Sequence, residues 1–445
     1  MSARQTALEV LIGCRKGGGW SNGLLKEQIA RDGLDKRDAA LATRLAYGVL
    51  QNRGLLDHYA QQVLTGKLKD LRPVVRDILH LGLYQIRMMD KIPASAAVNE
   101  SVALARKYCK KQPSAAALVN GVLRAASEKK DWQEPEDLAT KYSHPAGLVK
   151  LFESYVGKDR LEKMLIDNNG APETVVQVNT LKTTAARLML RLMTEGVTAV
   201  PHGWLKNCLI LSGTGSIEKL PSFRDGEFYV QDAAAKLAVD CAKIPEGDFL
   251  VTDCCAAPGG KSFAAALALG GQGRIVSSDV HEHKVGLMEK GAERLGFENM
   301  KPRQFDATVF DPELEGKVDF ALVDVPCSGY GIIRKKPDIR QKDPDTMKEL
   351  PALQLEILKN QARYVRPGGV LIYSTCTLVR RENEGVVEKF LKGNDEFVTE
   401  PLELPGVFGK NETGMLTLVP GEYDTDGFFI CRMRRKKMIR GAYPL

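Results

Sequence analysis

The chain has 445 residues and a net charge of +7, enough length for roughly three domains of ordinary size. It has no apolar run of membrane-spanning length and an amphipathic amino terminus, and its nine cysteines show neither a Cys-x-x-Cys spacing nor His partners. This argues against a membrane protein, a secretory leader, a disulfide framework and a metal site. A cytoplasmic protein with free thiols is expected, and the mild basic excess has the sign of a chain that meets phosphate backbones.

Residues 1–130 read as helical throughout. Apolar residues recur at helical spacing in Leu41-Leu45-Val49 and Ile78-Leu79-Tyr84-Ile86, with Gly54 and Pro73 as expected stops. Charge gathers at Arg106-Lys107, Lys110-Lys111 and Arg124, where a solvated helical face is the plain reading. The polar, proline-bearing stretch from Asp131 suits a linker over 131–145. A small α/β module follows over 146–225, with strands at Thr174–Asn179 and Cys208–Leu211 around a helix from Thr183 to Glu195 that Gly196 closes.

From Gly226 to the end of the chain, strands alternate with helices, which predicts a mostly parallel, Rossmann-like sheet covered on both faces. Phe249–Asp253 runs into the loop Cys255-Ala256-Ala257-Pro258-Gly259-Gly260-Lys261 and a helix rich in alanine. Its glycines permit close approach of the backbone to a ligand, and the helix start favours negative groups. The next strand ends in Asp279, about twenty positions beyond the loop, where a carboxylate accepts from ribose hydroxyls. Asp306 follows the third strand and suits an adenine amine. The fourth and fifth strands deliver Asp324 with Cys327, and Cys376, to the same carboxyl edge, where open sheets bind ligands.

The two thiols suggest covalent chemistry on a base. Carbon 5 of cytosine is a poor nucleophile until a thiolate adds to carbon 6. The added thiol must later leave, so a nucleophile, an eliminating base and an acid near N3 are needed. Cys327, Cys376 and Asp324 meet that requirement, whereas a lone cysteine would usually be a packed core residue. Cys14, Cys109, Cys208, Cys241 and Cys431 read as inert, and Cys254 as facing the fold. A phosphate-binding P-loop is the competing reading of Ala256–Ser262, but Cys255 replaces its first glycine and it leaves Asp279, Cys327 and Cys376 without a role.

Over nearly its whole length the chain resembles the bacterial RsmB/Sun/Fmu family of RNA cytosine-C5 methyltransferases acting on 16S ribosomal RNA. The resemblance rests on Tyr229-Val230-Gln231-Asp232, Cys255 to Lys261, Asp324-Val325-Pro326-Cys327-Ser328-Gly329-Tyr330-Gly331, Lys336-Pro337-Asp338-Ile339, Ser374-Thr375-Cys376-Thr377 and Asp426-Gly427-Phe428-Phe429. The first domain, with Val119-Asn120-Gly121-Val122-Leu123-Arg124, looks like the RNA-binding fold of NusB. Gln177, where an arginine often precedes Val-Asn, and Gly147, where a tryptophan often follows His-Pro, depart from the pattern.

The resemblance implies an all-α NusB-like domain, the small α/β RNA-binding module and a catalytic α/β domain. It implies S-adenosylmethionine against Cys255, Ala256, Ala257, Pro258, Gly259, Gly260, Lys261, Asp279, Asp306 and Asp324, with Cys376 as nucleophile and Cys327 assisting release. The implied partner is 16S ribosomal RNA in an unfolded or partly assembled small subunit, with no membrane, no metal and a monomeric enzyme. The alternatives are the same chemistry on tRNA or another rRNA, and a non-catalytic NusB-like RNA-binding factor. Lys261 is expected to face the cofactor's carboxylate or to brace its loop. Arg334-Lys335-Lys336 and the tail Arg432-Met433-Arg434-Arg435-Lys436-Lys437 are expected to grip phosphates.

Overall fold

A computed structural model describes residues 1–17, 21–342 and 347–437. They form two compact units, one of 1–171 with 333–342 and the other of 172–332 with the described residues from 347 onward. Among the described residues, no helix is long and apolar enough to cross a membrane.

In the first unit, helices Ala3–Arg15, Ser21–Asp32, Lys36–Gln51, Arg53–Val63, Pro73–Met88, Ala94–Tyr108 and Ser114–Glu128 surround one core. Leu45, Val49, Ile78, Leu79, Val119 and Leu123 are fully buried there, as the helical spacing requires. Pro73 opens a helix, as its fixed φ and missing N–H allow at a first position. Gly54 is no stop, because the break falls at Asn52.

The expected linker is not free. Trp132 packs edge-on against Tyr59, Arg87 lies 4.8 Å from both ring centroids, and Glu134 accepts from the Tyr59 hydroxyl. Burying an indole outweighs the polar composition that suggested a tether. Helices Ala146–Val156 and Lys158–Asn168 continue the same unit.

The segment Ile333–Lys342 belongs to this unit too. Arg340, 1% exposed, donates to the carbonyls of Gln51 (2.9 Å) and Asn168 (3.2 Å) and to Asn169 Oδ1 (2.8 Å). Burial among neutral acceptors lowers its pKa to about 9.

In the second unit, β1 (Thr174–Val178), β2 (Thr198–Pro201), β3 (Cys208–Ser212) and β4 (Phe228–Val230) form an antiparallel sheet in the order β2-β3-β1-β4. Gln177 is buried in β1 and donates to the Gln231 carbonyl at 3.1 Å. The larger sheet holds β5 (Leu250–Cys254), β6 (Arg274–Asp279), β7 (Met300–Gln304), β8 (Val318–Asp324), β9 (Val365–Thr375), β10 (Phe397–Thr399), β11 (Met415–Leu418) and β12 (Phe428–Arg435).

Its order is β10-β12-β9-β8-β5-β6-β7, with β11 also on β12. Strands β5 to β9 are mutually parallel and β12 runs against β9. Val251, Leu322, Leu371 and Ile372 are buried in it, as expected for strands covered on both faces. Parallel order brings the carboxyl ends of β5, β6, β8 and β9 to one edge.

Candidate active site

At that edge, β5 turns into the helix Gly260–Ala268 through Cys255 (φ 54°) and Gly259 (φ 108°). A side chain at Gly259 would place its Cβ 2.6 Å from the Phe263 ring, so that position takes only glycine. The Ala256 amide donates to the Ser278 carbonyl (2.9 Å), and the Ala257-Pro258 bond is cis. Beneath the loop, Ser277 donates to Ser262, which donates to Asp253 (2.6 Å). The other Asp253 oxygen is buried without a hydrogen-bond partner, and burial raises this carboxyl to about 7.

Asp279, 5% exposed at the tip of β6, accepts from the His281 amide through Oδ1 (3.0 Å). Asp306, just past β7, is exposed and accepts from the Thr308 amide and hydroxyl through Oδ1. Helix-start amides and the carboxylates of Asp279, Asp306 and Asp324 at one edge are donors and acceptors of the kind S-adenosylmethionine requires.

At the ends of β8 and β9, the Cys327 and Cys376 sulfurs stand 3.2 Å apart, both half-buried. The hydrogen bond with Cys376, then burial, holds the Cys327 thiol well above the usual thiol range. Asp324 accepts from Lys261 Nζ (2.7 Å) through one oxygen and from Ser374 Oγ (2.8 Å) through the other. Burial opposes the charge on Lys261, yet Asp324 beside it holds the ammonium above its ordinary pKa, with the Cys376 sulfur contributing in the same direction. Lys261 therefore braces the strand-end carboxylate. Gly331 donates from its amide to the Cys376 carbonyl (2.9 Å), and its Cα faces the Gly427 carbonyl so closely that a Cβ would lie 1.9 Å from it.

Cys109, Cys208, Cys241 and Cys431 are buried in the fold, as is Cys254. Burial pushes Cys208 and Cys241 up to about 12 and half-buried Cys14 to about 11, so none is an accessible thiolate.

Two expectations about basic runs are corrected. Arg334 is 9% exposed and pairs with Asp167 at 3.1 Å, which removes it as a phosphate contact. At the chain's carboxyl end, Arg432 and Arg434 both pair with Glu400, and Arg435 pairs with Glu396. Arg432 also caps the Cys241 and Ala242 carbonyls. These arginines lie in β12, with Arg432 and Arg434 on one face, where both reach Glu400, and Arg435 on the other, against Glu396.

Sequence reasoning also missed Ser374 as a partner of Asp324, and Glu382 and Gln354 behind Cys327. Glu382 sits in the charged run Arg380-Arg381-Glu382-Asn383-Glu384, which resembles a solvated face, yet it is fully buried.

The family model described as 16S rRNA methyltransferase RsmB/F matches residues 242–434, the NusB family model matches 1–128, and the Methyltr_RsmF/B-like ferredoxin-like domain matches 144–218. The probable ribosomal RNA small subunit methyltransferase B of Bacillus subtilis (strain 168) is 37% identical over 448 residues, which is 98% of this chain and 99% of that protein. Among solved structures, PH0851 matches with a TM-score of 0.81 at 26% identity, over 97% of this chain and 98% of its own. NSun6 from Pyrococcus horikoshii, solved with SFG, shares the fold at TM-score 0.57 and 22% identity, over 66% of this chain and 98% of its own.

Fold and site define an S-adenosylmethionine-dependent RNA methyltransferase. The P-loop reading falls with this, since the loop lies inside the methyltransferase match. The chain belongs to the ribosomal RNA small subunit methyltransferase B family.

Proposed function

We propose that this enzyme methylates carbon 5 of a cytosine in 16S ribosomal RNA through a covalent bond between Cys376 and carbon 6. The observation that carries the reading is the pair of sulfurs 3.2 Å apart beside the Lys261–Asp324 ion pair. The names of the relatives support the ribosomal substrate.

The Cys376 thiolate adds to carbon 6, and the electrons of the ring double bond move to carbon 5. Asp324 takes the proton it shares with Lys261 at 2.7 Å and donates it in a hydrogen bond to N3, which stabilises the adduct as electron density builds on the ring. Cys255 to Lys261, Asp279, Asp306 and Asp324 would hold S-adenosylmethionine, whose sulfonium would supply a methyl group to carbon 5 and leave as the neutral thioether. Cys327, once ionised, takes the proton from carbon 5. The C5–H electrons restore the double bond, the C6–S bond breaks, and its pair returns to Cys376.

A stacked, paired cytosine hides both ring carbons, so the target is unpaired or flipped at a cost of a few kcal/mol. For RNA docking, the groove between helices Ala94–Tyr108 and Ser114–Glu128 is the better surface. It has a volume of about 870 Å³ and is lined by Arg106, Lys110, Asn99, Gln112 and Asn120. Among the described residues, Arg106, Lys110 and neighbouring Lys111 form no ion pair, so their charge is available to phosphate.

Bisulfite sequencing of RNA from cells with and without the gene tests the substrate. Loss of one protected cytosine in 16S rRNA is expected, and a loss confined to tRNA or to another rRNA would overturn it.

A further inference from the structure

Two adjacent residues after β9 hold the two cysteines by different means. Glu382 Oε2 accepts from the Ser328 amide at 2.9 Å and from Gln354 Nε2 at 3.0 Å, and the same Gln354 nitrogen donates to the Pro326 carbonyl at 2.9 Å. Pro326 and Ser328 flank Cys327, so its backbone is clamped on both sides. Asn383 treats Cys376 likewise: its Oδ1 accepts from Thr375 Oγ1 (2.6 Å) and its Nδ2 donates to the Thr377 carbonyl (3.0 Å). The two loops are also tied to each other by Ser328 Oγ and Thr377 Oγ1 at 2.7 Å.

Glu382, Asn383 and Gln354 are fully buried. A buried carboxylate met only by neutral donors is costly, and leucine in its place would pack at less expense. Its side chain serves the Cys327 loop through Ser328 and Gln354, while its own carbonyl accepts from the Tyr373 hydroxyl at 2.6 Å. The sulfur separation depends on two short loops, and thiol chemistry is sensitive to displacements of about 1 Å.

We infer that Glu382 and Asn383 are positioning residues with divided duties, Glu382 setting Cys327 for release of the methylated base and Asn383 setting Cys376 for attack. The inference rests on the covalent reading above. It assigns each step to a residue that touches neither base nor cofactor.

The test is single-turnover methylation of 16S rRNA fragments with labelled S-adenosylmethionine, followed by denaturing gels that display protein-bound RNA. Glu382→Ala is expected to form adduct at a rate within threefold of wild type, to accumulate it at least fivefold, and to lose multiple turnover. Asn383→Ala is expected to slow adduct formation at least tenfold with no accumulation. Glu382→Gln, which keeps an acceptor for the Ser328 amide, restores release.

The same defect in both alanine variants, or wild-type behaviour in either, overturns the inference. Should an alanine variant fail to bind cofactor, Gln354→Leu replaces Glu382→Ala and Thr375→Val replaces Asn383→Ala, with the same outcomes deciding. Cys327→Ala run alongside separates the two levels. If neither Cys327→Ala nor Cys376→Ala traps RNA the covalent reading itself fails, and if Cys327→Ala traps RNA while Glu382→Ala does not, only the positioning role fails.

Discussion

In the groove between helices Ala94–Tyr108 and Ser114–Glu128, Arg106 and Lys110 meet no carboxylate among the described residues, whereas at the strand ends Lys261 and Asp324 are bound to each other and Asp324 also to Ser374. An uncompensated cation keeps its attraction for phosphate and for the counterions that phosphate releases. A compensated pair does little for affinity, but it fixes where protons reside beside two sulfurs. The first arrangement suits binding and the second suits chemistry, so variants in the two regions should fail in different ways.

The largest effect is expected at the nucleophile. Cys376→Ala should lower the methylation rate at least about a thousandfold, worth about 4 kcal/mol of barrier, while RNA affinity in a filter-binding assay stays within twofold. Cys327→Ala should stop turnover after one event and leave RNA attached to protein on a denaturing gel. Loss of activity without adduct in Cys327→Ala, together with RNA trapped on Cys376→Ala, would reverse the assignment of the two thiols.

Asp253 is a carboxylate of the chemical region whose burial outweighs the Ser262 hydrogen bond and the charge of Lys261, and it sharpens the contrast. Its native pKa is raised from 3.8 to about 7, so the native state binds more protons than the unfolded chain between these values. Stability from this group therefore falls as pH rises through that window, and the full cost stands above pH 7. Asp253→Asn should raise stability at pH 8 by about 2–4 kcal/mol, with the difference vanishing near pH 4, as read by urea unfolding at both pH values.

Release carries its own pH signature. In the free enzyme Cys327 lies above the usual thiol range through its contact with Cys376 and through burial; in the adduct that contact is gone and burial remains, and its ionised fraction still grows about tenfold per pH unit below its pKa. Decay of the trapped adduct should accelerate accordingly between pH 6.5 and 8.5. A flat profile would exclude Cys327 as the base.

The smallest effect belongs to the groove. Arg106→Glu with Lys110→Glu should weaken RNA binding about tenfold at moderate salt and reduce the salt slope by about 2, leaving single-turnover rates at saturating RNA unchanged. Equal loss of rate at saturation would erase the distinction between the two regions.

Much of this was legible before the fold. The helical spacing through Leu45 and Val49 marked residues that are fully buried, and the apolar runs ending in Asp279, Asp324 and Cys376 became β6, β8 and β9. A run of branched apolar residues has few places to go except a covered strand. The basic runs were another matter. Arg334, Arg432 and Arg106 look alike along the chain, and only their neighbours in space separate a consumed cation from an available one.

Local patterning, then, determined the order of helices and strands and the choice of thiols and carboxylates for the site, because hydrophobic period and glycine turns act over a few residues. Tertiary structure alone decided that residues 333–342 pack with the amino-terminal helices, that Lys261 meets Asp324, and that Glu382 lies buried behind Cys327. Those contacts join residues tens to hundreds of positions apart, and a hydrogen bond across such a distance leaves no periodic trace in the sequence.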